Sequence, residues 1–217
     1  MKLDVKQFVN ESLTSNAYLV RLEDSLECVL VDIGEYTELK KHLLLHGLSV
    51  QALFLTHCHY DHILGLREFI NEFPKATIFA HSYTMEALKD PKLNLSFYRE
   101  VPIEVDIPPQ NRNLMVDQDV EIASLKVTSL HTPGHNPGSL SFLIGNFLFT
   151  GDSLIPGHKI VTKLKGGNKE QAQKSLEHII NNLNDVKYLA PGHGSMLPDS
   201  SFRQLVEEQY QFYIINE

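Results

Sequence analysis

Basic clusters, long apolar runs and cysteines are all scarce in this chain. Lys and Arg number 19 against 27 Asp and Glu, a formal net charge of −8. Nowhere do the basic residues gather into a patch suited to a phosphate backbone, so nucleic acid is excluded as an expected partner. No segment approaches the roughly 18 consecutive apolar residues of a membrane-crossing helix, and no membrane partner is expected. The opening residues, Met1-Lys2-Leu3-Asp4-Val5-Lys6, carry charges where a secretory signal needs an apolar stretch. Cysteine occurs only as Cys28 and Cys58, so no disulfide framework is implied and a reducing, cytoplasmic location is expected.

What is present is ordinary for a globular protein: 217 residues, 42% hydrophobic and 21% charged. That length supports one substantial core, and nothing in the middle reads as a linker, so residues 1–217 are expected to form a single domain.

Histidine is where the sequence departs from the ordinary. Residues 57–62 read His-Cys-His-Tyr-Asp-His, directly after the apolar run Ala52-Leu53-Phe54-Leu55-Thr56. Packing does not call for three imidazoles and a carboxylate in six residues, whereas a borderline-soft cation does. His135 in Thr132-Pro133-Gly134-His135, Asp152 in Thr150-Gly151-Asp152 and His193 in Pro191-Gly192-His193-Gly194 follow at further strand ends. Together these seven candidate ligands, His57, His59, Asp61, His62, His135, Asp152 and His193, suffice for two divalent ions sharing a carboxylate. Zinc suits such a set best, with iron or manganese also accepted. The remaining histidines (His42, His46, His81, His131, His158 and His178) read as structural, with His131 and His158 close enough in sequence to support the site from behind.

The periodicity predicts a β-strand over Cys28–Val31, a helix over Tyr36–His46 capped by Gly47, and a strand over Ala52–Thr56. This βαβ pattern puts the His-rich loop at the carboxyl end of its second strand, where loops from a rigid sheet converge. A helix bearing Ile63, Leu66, Phe69 and Ile70 is expected to stop before Pro74. A strand over Thr77–Ala80 and a short helix over Ser82–Lys89 come next. Proline-rich Asp90–Gln110 is expected to cross the surface as a loop. Short strands are expected over Val120–Ala123, Lys126–Leu130, Ser139–Ile144 and Asn146–Phe149, the last two joined at Gly145-Asn146. Asn168 with Gln171 reads as a capping box opening a helix whose stripe is Leu176, Ile179, Ile180 and Leu183. A strand over Val186–Ala190 then delivers His193, and a helix over Ser201–Tyr213 closes the chain.

The ordered set His57-x-His59-x-Asp61-His62, His135, Asp152 and His193 resembles the signature of the metallo-β-lactamase superfamily, over about Asn16 to Gly194. Within it, Asp90-Pro91-x-Leu93-Asn94-Leu95-Ser96, His131-Thr132-Pro133-Gly134-His135 and Gly166-Gly167 before a helix look most like the hydroxyacylglutathione hydrolase (glyoxalase II) branch. The resemblance implies an α/β (α+β) fold, the four-layer αββα sandwich of that superfamily. It also implies that one metal takes His57, His59 and His135, the other Asp61, His62 and His193, and that Asp152 bridges them. The expected activity is hydrolysis of a small acyl or thioester substrate by metal-activated water, with Asp61 orienting the nucleophile. Glyoxalase II enzymes continue into a C-terminal helical domain that helps hold glutathione. Here only 24 residues follow His193, so a branch lacking that domain is expected.

Two alternatives share the motifs. One is a mononuclear iron persulfide dioxygenase using only the first ligand set, and the other a non-catalytic metal-binding sensor, against which the complete ligand set argues. Asp32, before Gly34, reads as a partner fixing a ligand's orientation. Lys163 and Lys165 are candidate anchors for a substrate carboxylate. Cys58, alternating with His57 and His59, is expected to point away from the metals. Gly151 and Gly192 are read as backbone freedom for tight turns.

Overall fold

The computed structural model describes residues 2–215. It opens with β1 (Leu3–Val9) and β2 (Asn16–Leu22), paired antiparallel from Leu3↔Leu22 to Val9↔Asn16. β3 (Glu27–Val31), α1 (Thr37–His46) and β4 (Ser49–Phe54) form the expected βαβ unit, with β3 and β4 parallel. Gly47, at φ 61°, ends α1 as a left-handed cap. After a single 3₁₀ turn over Tyr60–His62 come α2 (Leu66–Glu72), β5 (Thr77–Ala80) and α3 (Ser82–Ala87). α2 starts three residues later than its apolar spacing suggests, because Ile63 belongs to the turn that closes the His-rich loop.

Residues 90–108 hold no helix or strand, as their prolines lead one to expect, and β6 (Arg112–Leu114) then pairs parallel to β5. The second half runs β7 (Asp119–Ile122), β8 (Leu125–His131), β9 (Leu140–Ile144) and β10 (Phe147–Gly151), successive antiparallel neighbours. The β9–β10 hairpin turns on Gly145, at φ 58°, and Asn146. α4 (Lys169–Asn181) begins at Asn168, whose side chain accepts from Gln171 N at 3.0 Å, the N-cap expected from sequence. β11 (Tyr188–Pro191), β12 (Leu197–Pro198) and α5 (Asp199–Ile215) complete the order.

The two six-stranded sheets run β1-β2-β3-β4-β5-β6 and β12-β11-β10-β9-β8-β7. Alternation along each strand decides which face meets what. In β3, Val29 and Val31 face the other sheet, while Cys28 and Leu30 face Leu39 and Leu43 of α1 and Phe69 of α2. In β10, Phe147 and Phe149 point between the sheets and Leu148 points to Leu176 and Ile179 of α4 and Phe202 of α5. Phe54 stacks on Phe79 at 4.7 Å and meets Phe142 of the opposite sheet at 5.3 Å. Each such fully buried phenylalanine stabilises the inter-sheet layer by about 1.5–3 kcal/mol. Helices, sheet, sheet and helices thus form the αββα sandwich.

Candidate metal centre

The seven candidate ligands all follow the carboxyl ends of strands. β4 leads into His57, His59, Asp61 and His62; β8 into His135; β10 into Asp152; β11 into His193. Asp32 follows β3 in the same way. The centre therefore lies along one edge of the sandwich, where loops converge and the sheets hold their roots.

Three clusters emerge. The Nδ1 of His59 lies 2.8 Å from the Nε2 of His135, and both group with His57. Asp61 Oδ2 lies 3.6 Å from His62 Nε2 and 3.3 Å from His193 Nε2. Asp152 reaches both groups: its Oδ2 is 3.4 Å from His135 Nε2 and 3.6 Å from His193 Nε2, and its Oδ1 is 3.4 Å from His62 Nε2. Ligand atoms held 2.0–2.2 Å from one tetrahedral ion stand about 3.4 Å apart, so most of these spacings suit shared cations. Asp32, His57 and His62 also cluster, but Asp32 is already committed. Its Oδ1 accepts from Thr56 N at 2.7 Å, and its Oδ2 accepts from Thr56 Oγ1 at 2.7 Å and faces His62 Nδ1 at 2.8 Å.

Buried atoms without partners point the same way. Among the described residues, His57 Nε2, His62 Nε2 and Asp152 Oδ1 are buried and make no hydrogen bond. Such atoms are expensive to bury unless something not protein satisfies them. Meanwhile the other ring nitrogens are occupied: His57 Nδ1 lies 3.0 Å from Thr56 Oγ1, His135 Nδ1 lies 2.9 Å from Val161 O, and His193 Nδ1 lies 3.2 Å from Thr14 Oγ1. Those contacts leave the Nε2 lone pairs aimed at the centre. The residues present fit metal ions.

The electrostatics divide the centre. Burial pushes His57 well below the usual imidazole range and lowers His135, and it brings His59 down to about 3. These three stay neutral, as ligands must. Around His62, burial disfavours the cation, but Asp61, Asp32 and Asp152 outweigh it and raise its proton affinity well above the ordinary value. Burial likewise penalises Asp152 and Asp61, yet His62 first and the other nearby imidazoles hold both carboxyls below the usual range. The first group is neutral, whereas the second pairs carboxylates with imidazoles whose proton affinity they raise.

Of the other expectations, Cys58 is buried and accepts from Asn136 Nδ2 at 3.2 Å, turned from the ligands as its position between them suggests. His131 stacks on His81, with ring centroids 4.7 Å apart, and faces Pro137 O at 3.1 Å. His158 is exposed and lines a groove of about 730 Å³ beside His193, together with Thr14, Ile155, Pro156, Lys159 and Val161. Lys163 and Lys165 are exposed on the same segment, beyond the residues lining that groove. Gly151 stands at φ 48°, as its turn reading requires. Gly192 does not need a left-handed backbone; instead a Cβ there would lie 2.1 Å from Asp152 Oδ1. Sequence reasoning overlooked Thr14, Thr56, Asn136 and the Val161 carbonyl. Thr56, beside His57, and Asn136, beside His135, carried a local signal; Thr14 and Val161 carried none.

The chain belongs to the metallo-beta-lactamase superfamily, whose family model matches residues 12–193. It is 31% identical over 185 residues to the probable metallo-hydrolase YqgX of Bacillus subtilis, an alignment covering 84% of this chain and 86% of that one. Against a hydroxyacylglutathione hydrolase of Salmonella typhi it is 29% identical over 188 residues, 86% of this chain but only 65% of the relative's length. Among solved structures, the BLEG-1 B3 metallo-beta-lactamase superposes with a TM-score of 0.82 at 28% identity, covering 93% and 99% of the two chains. ETHE1 from Myxococcus xanthus shares the fold at a TM-score of 0.70 and 21% identity, over 97% of this chain and 90% of that one.

Proposed function

We propose that the protein is a dinuclear metal-dependent hydrolase acting on a thioester of the hydroxyacylglutathione kind or a related small acyl substrate. The observation that carries this reading is Asp152, whose two oxygens face His62, His135 and His193 at 3.4–3.6 Å and so span both ligand groups. His57, His59 and His135 would hold one ion, Asp61, His62 and His193 the other, and Asp152 both. Zinc is the favoured metal, iron or manganese the alternatives. When bound, such a pair lowers the pKa of a shared water towards neutrality and polarises an acyl carbonyl.

The chain's own groups supply the rest. Asp61 completes the second ligand group and orients the attacking water by accepting its hydrogen. Asp32 and Thr56 hold His62 and His57 in their working orientations. The groove beside His193 offers Ile155, Pro156 and Val161 to an apolar portion of the substrate. Lys163 and Lys165, exposed on the same segment beyond the groove lining, would anchor a substrate carboxylate. Support for a thioester comes from the hydroxyacylglutathione hydrolase relatives, and two free, buried thiols accord with a cytoplasmic setting.

Elemental analysis of protein purified without added metal, combined with hydrolysis of a lactoyl-thioester, tests the reading. Two ions per chain with turnover are expected. A single iron, no hydrolysis and oxygen uptake with a persulfide would replace it with the dioxygenase.

A further inference from the structure

The turn between β1 and β2 touches both Asp61 and His193, ligands that reach the centre from distant parts of the chain. Asn10, buried, donates through Nδ2 to the Asp61 carbonyl at 2.9 Å and to Ser15 Oγ at 2.7 Å, and Ser15 Oγ donates to the same carbonyl at 2.8 Å. On the other flank, Ser15 forms a β-bridge with His193, Asn16 N donates to Gly192 O at 2.7 Å, and Thr14 Oγ1 meets His193 Nδ1 at 3.2 Å. The turn is itself tied down: Asn10 Oδ1 accepts from Glu35 N, and the Glu35 carboxylate accepts from Glu11 N at 3.0 Å and from the Ser12 hydroxyl.

The first ligand group rests on other supports. His57 leans on Thr56, His135 on Val161 O, and His59 lies 3.4 Å from Asn136 Nδ2. The side chain of His193 is 25% exposed, against 0% for His62 and 3% for His135. Packing alone therefore fixes His193 least, and the hydroxyl of Thr14 has the most to do. Thr14 also stands at φ 60°, an uncommon conformation for a β-branched residue that persists only where the surroundings impose it.

We propose that the β1–β2 turn determines whether this protein holds two metal ions or one, with Thr14 acting as the positioning residue of His193 and Asn10 as that of the Asp61 loop. This inference rests on the dinuclear reading above. With Nδ1 protonated and donating to Thr14 Oγ1, His193 presents Nε2 beside Asp61 and Asp152. Without that hydroxyl the ring turns freely at the solvent edge, and the second group loses one of its three members, while the first is untouched. The same scaffold would then bind one ion.

The test is stepwise zinc binding, measured by competition with a chromophoric chelator, for the wild type, Thr14→Val and Thr14→Ser. Valine keeps the branching and size of threonine but removes the hydroxyl; serine keeps the hydroxyl. Thr14→Val should weaken the second equivalent by about 10–100-fold, the usual cost of losing such a supporting bond. It should leave the first equivalent and the metal-free thermal midpoint unchanged. Thr14→Ser should bind as the wild type does, and Thr14→Ala should repeat the valine result. Retention of both affinities by Thr14→Val, or a parallel fall in both, would overturn the inference while leaving the dinuclear reading standing. A wild type that binds a single equivalent would overturn both.

Discussion

His62 Nδ1 lies 2.8 Å from Asp32 Oδ2, fully out of water, and both oxygens of that carboxylate face donors only. The pair fixes which nitrogen of His62 can bind metal, because the proton on Nδ1 is held by Asp32 and Nε2 is left for the centre. Asp32 achieves this at φ 57°, a conformation that Asp and Asn adopt more readily than most residues.

Asp32→Asn separates shape from charge. Asparagine tolerates the backbone, but one oxygen becomes an amide that must point at Thr56 or His62, both donors. We expect a stability loss of about 1–3 kcal/mol for the mismatched buried group and a second-ion affinity lower by about 10–100-fold. Urea unfolding of the metal-free protein and zinc titration measure the two effects separately. Unchanged values in both would mean that Asp32 is only a turn former.

Asp61→Ala removes a ligand and the group proposed to orient the nucleophile. Turnover should fall by about 100-fold or more, and metal content should drop towards one ion per chain. Lys165→Ala should leave kcat unchanged and raise KM by about two- to fivefold, the scale of an exposed ion pair. Steady-state kinetics with metal analysis on both variants checks this contrast. Normal turnover by Asp61→Ala would remove the dinuclear mechanism.

The histidine loop and most element boundaries were legible because their signals are local, whereas the αββα layering came from the family resemblance. His57 to His62 fall within six residues, Gly47 and Asn168 mark helix ends, and Cys28–Val31 of β3 and Ala52–Phe54 of β4 are apolar without interruption. β1 and β2 both escaped, β1 because it is an edge strand in which Asp4, Lys6 and Gln7 dilute the alternation, and β2 because its apolar run is only Ala17 to Val20 between Asn16 and Arg21. Without β1 there was no hairpin, hence no place for Asn10 or Thr14. Thr14 and His193 stand 179 residues apart, and nothing near either one signals the other. Gly192 was read as a turn for a similar reason. Its real constraint is a neighbour from another strand, which a local reading does not contain.

Cys28 offers a pH-dependent handle remote from the metals. It is fully buried against the helical layer, and burial raises its thiol to about 12. Its unfolded value is about 9, so the folded state binds this proton more tightly. The resulting stability is fully present below pH 9 and is lost as pH climbs towards 12. Over that interval Cys28 should contribute a downward slope of up to about 1.4 kcal/mol per pH unit. Cys28→Val, of similar size and with no titrating group, should unfold with a flatter alkaline limb in denaturant titrations at pH 8 to 11. An identical slope in both proteins would place the thiol's titration outside the folding equilibrium.

Gly192→Ala tests whether the absence of one side chain keeps Asp152 in place. A methyl group there would begin 2.1 Å from Asp152 Oδ1 and 2.8 Å from the carbonyl carbon of Gly151, inside any permissible contact. The carboxylate is a movable end, but the Gly151 backbone is not, since it belongs to β10 and pairs with β11. Asp152 must therefore swing away, or β11 must withdraw and take His193 with it. In the first case both ligand groups lose their common member and both zinc equivalents weaken together. In the second, mainly the step involving His193 weakens, and the loss resembles that of Thr14→Val. Stepwise zinc titration tells the two apart, and thermal unfolding reports whether β11 has moved, by a cost of about 1–3 kcal/mol for overpacking. Two tight equivalents at wild-type stability would show that the strand-end loops yield more readily than their packing implies.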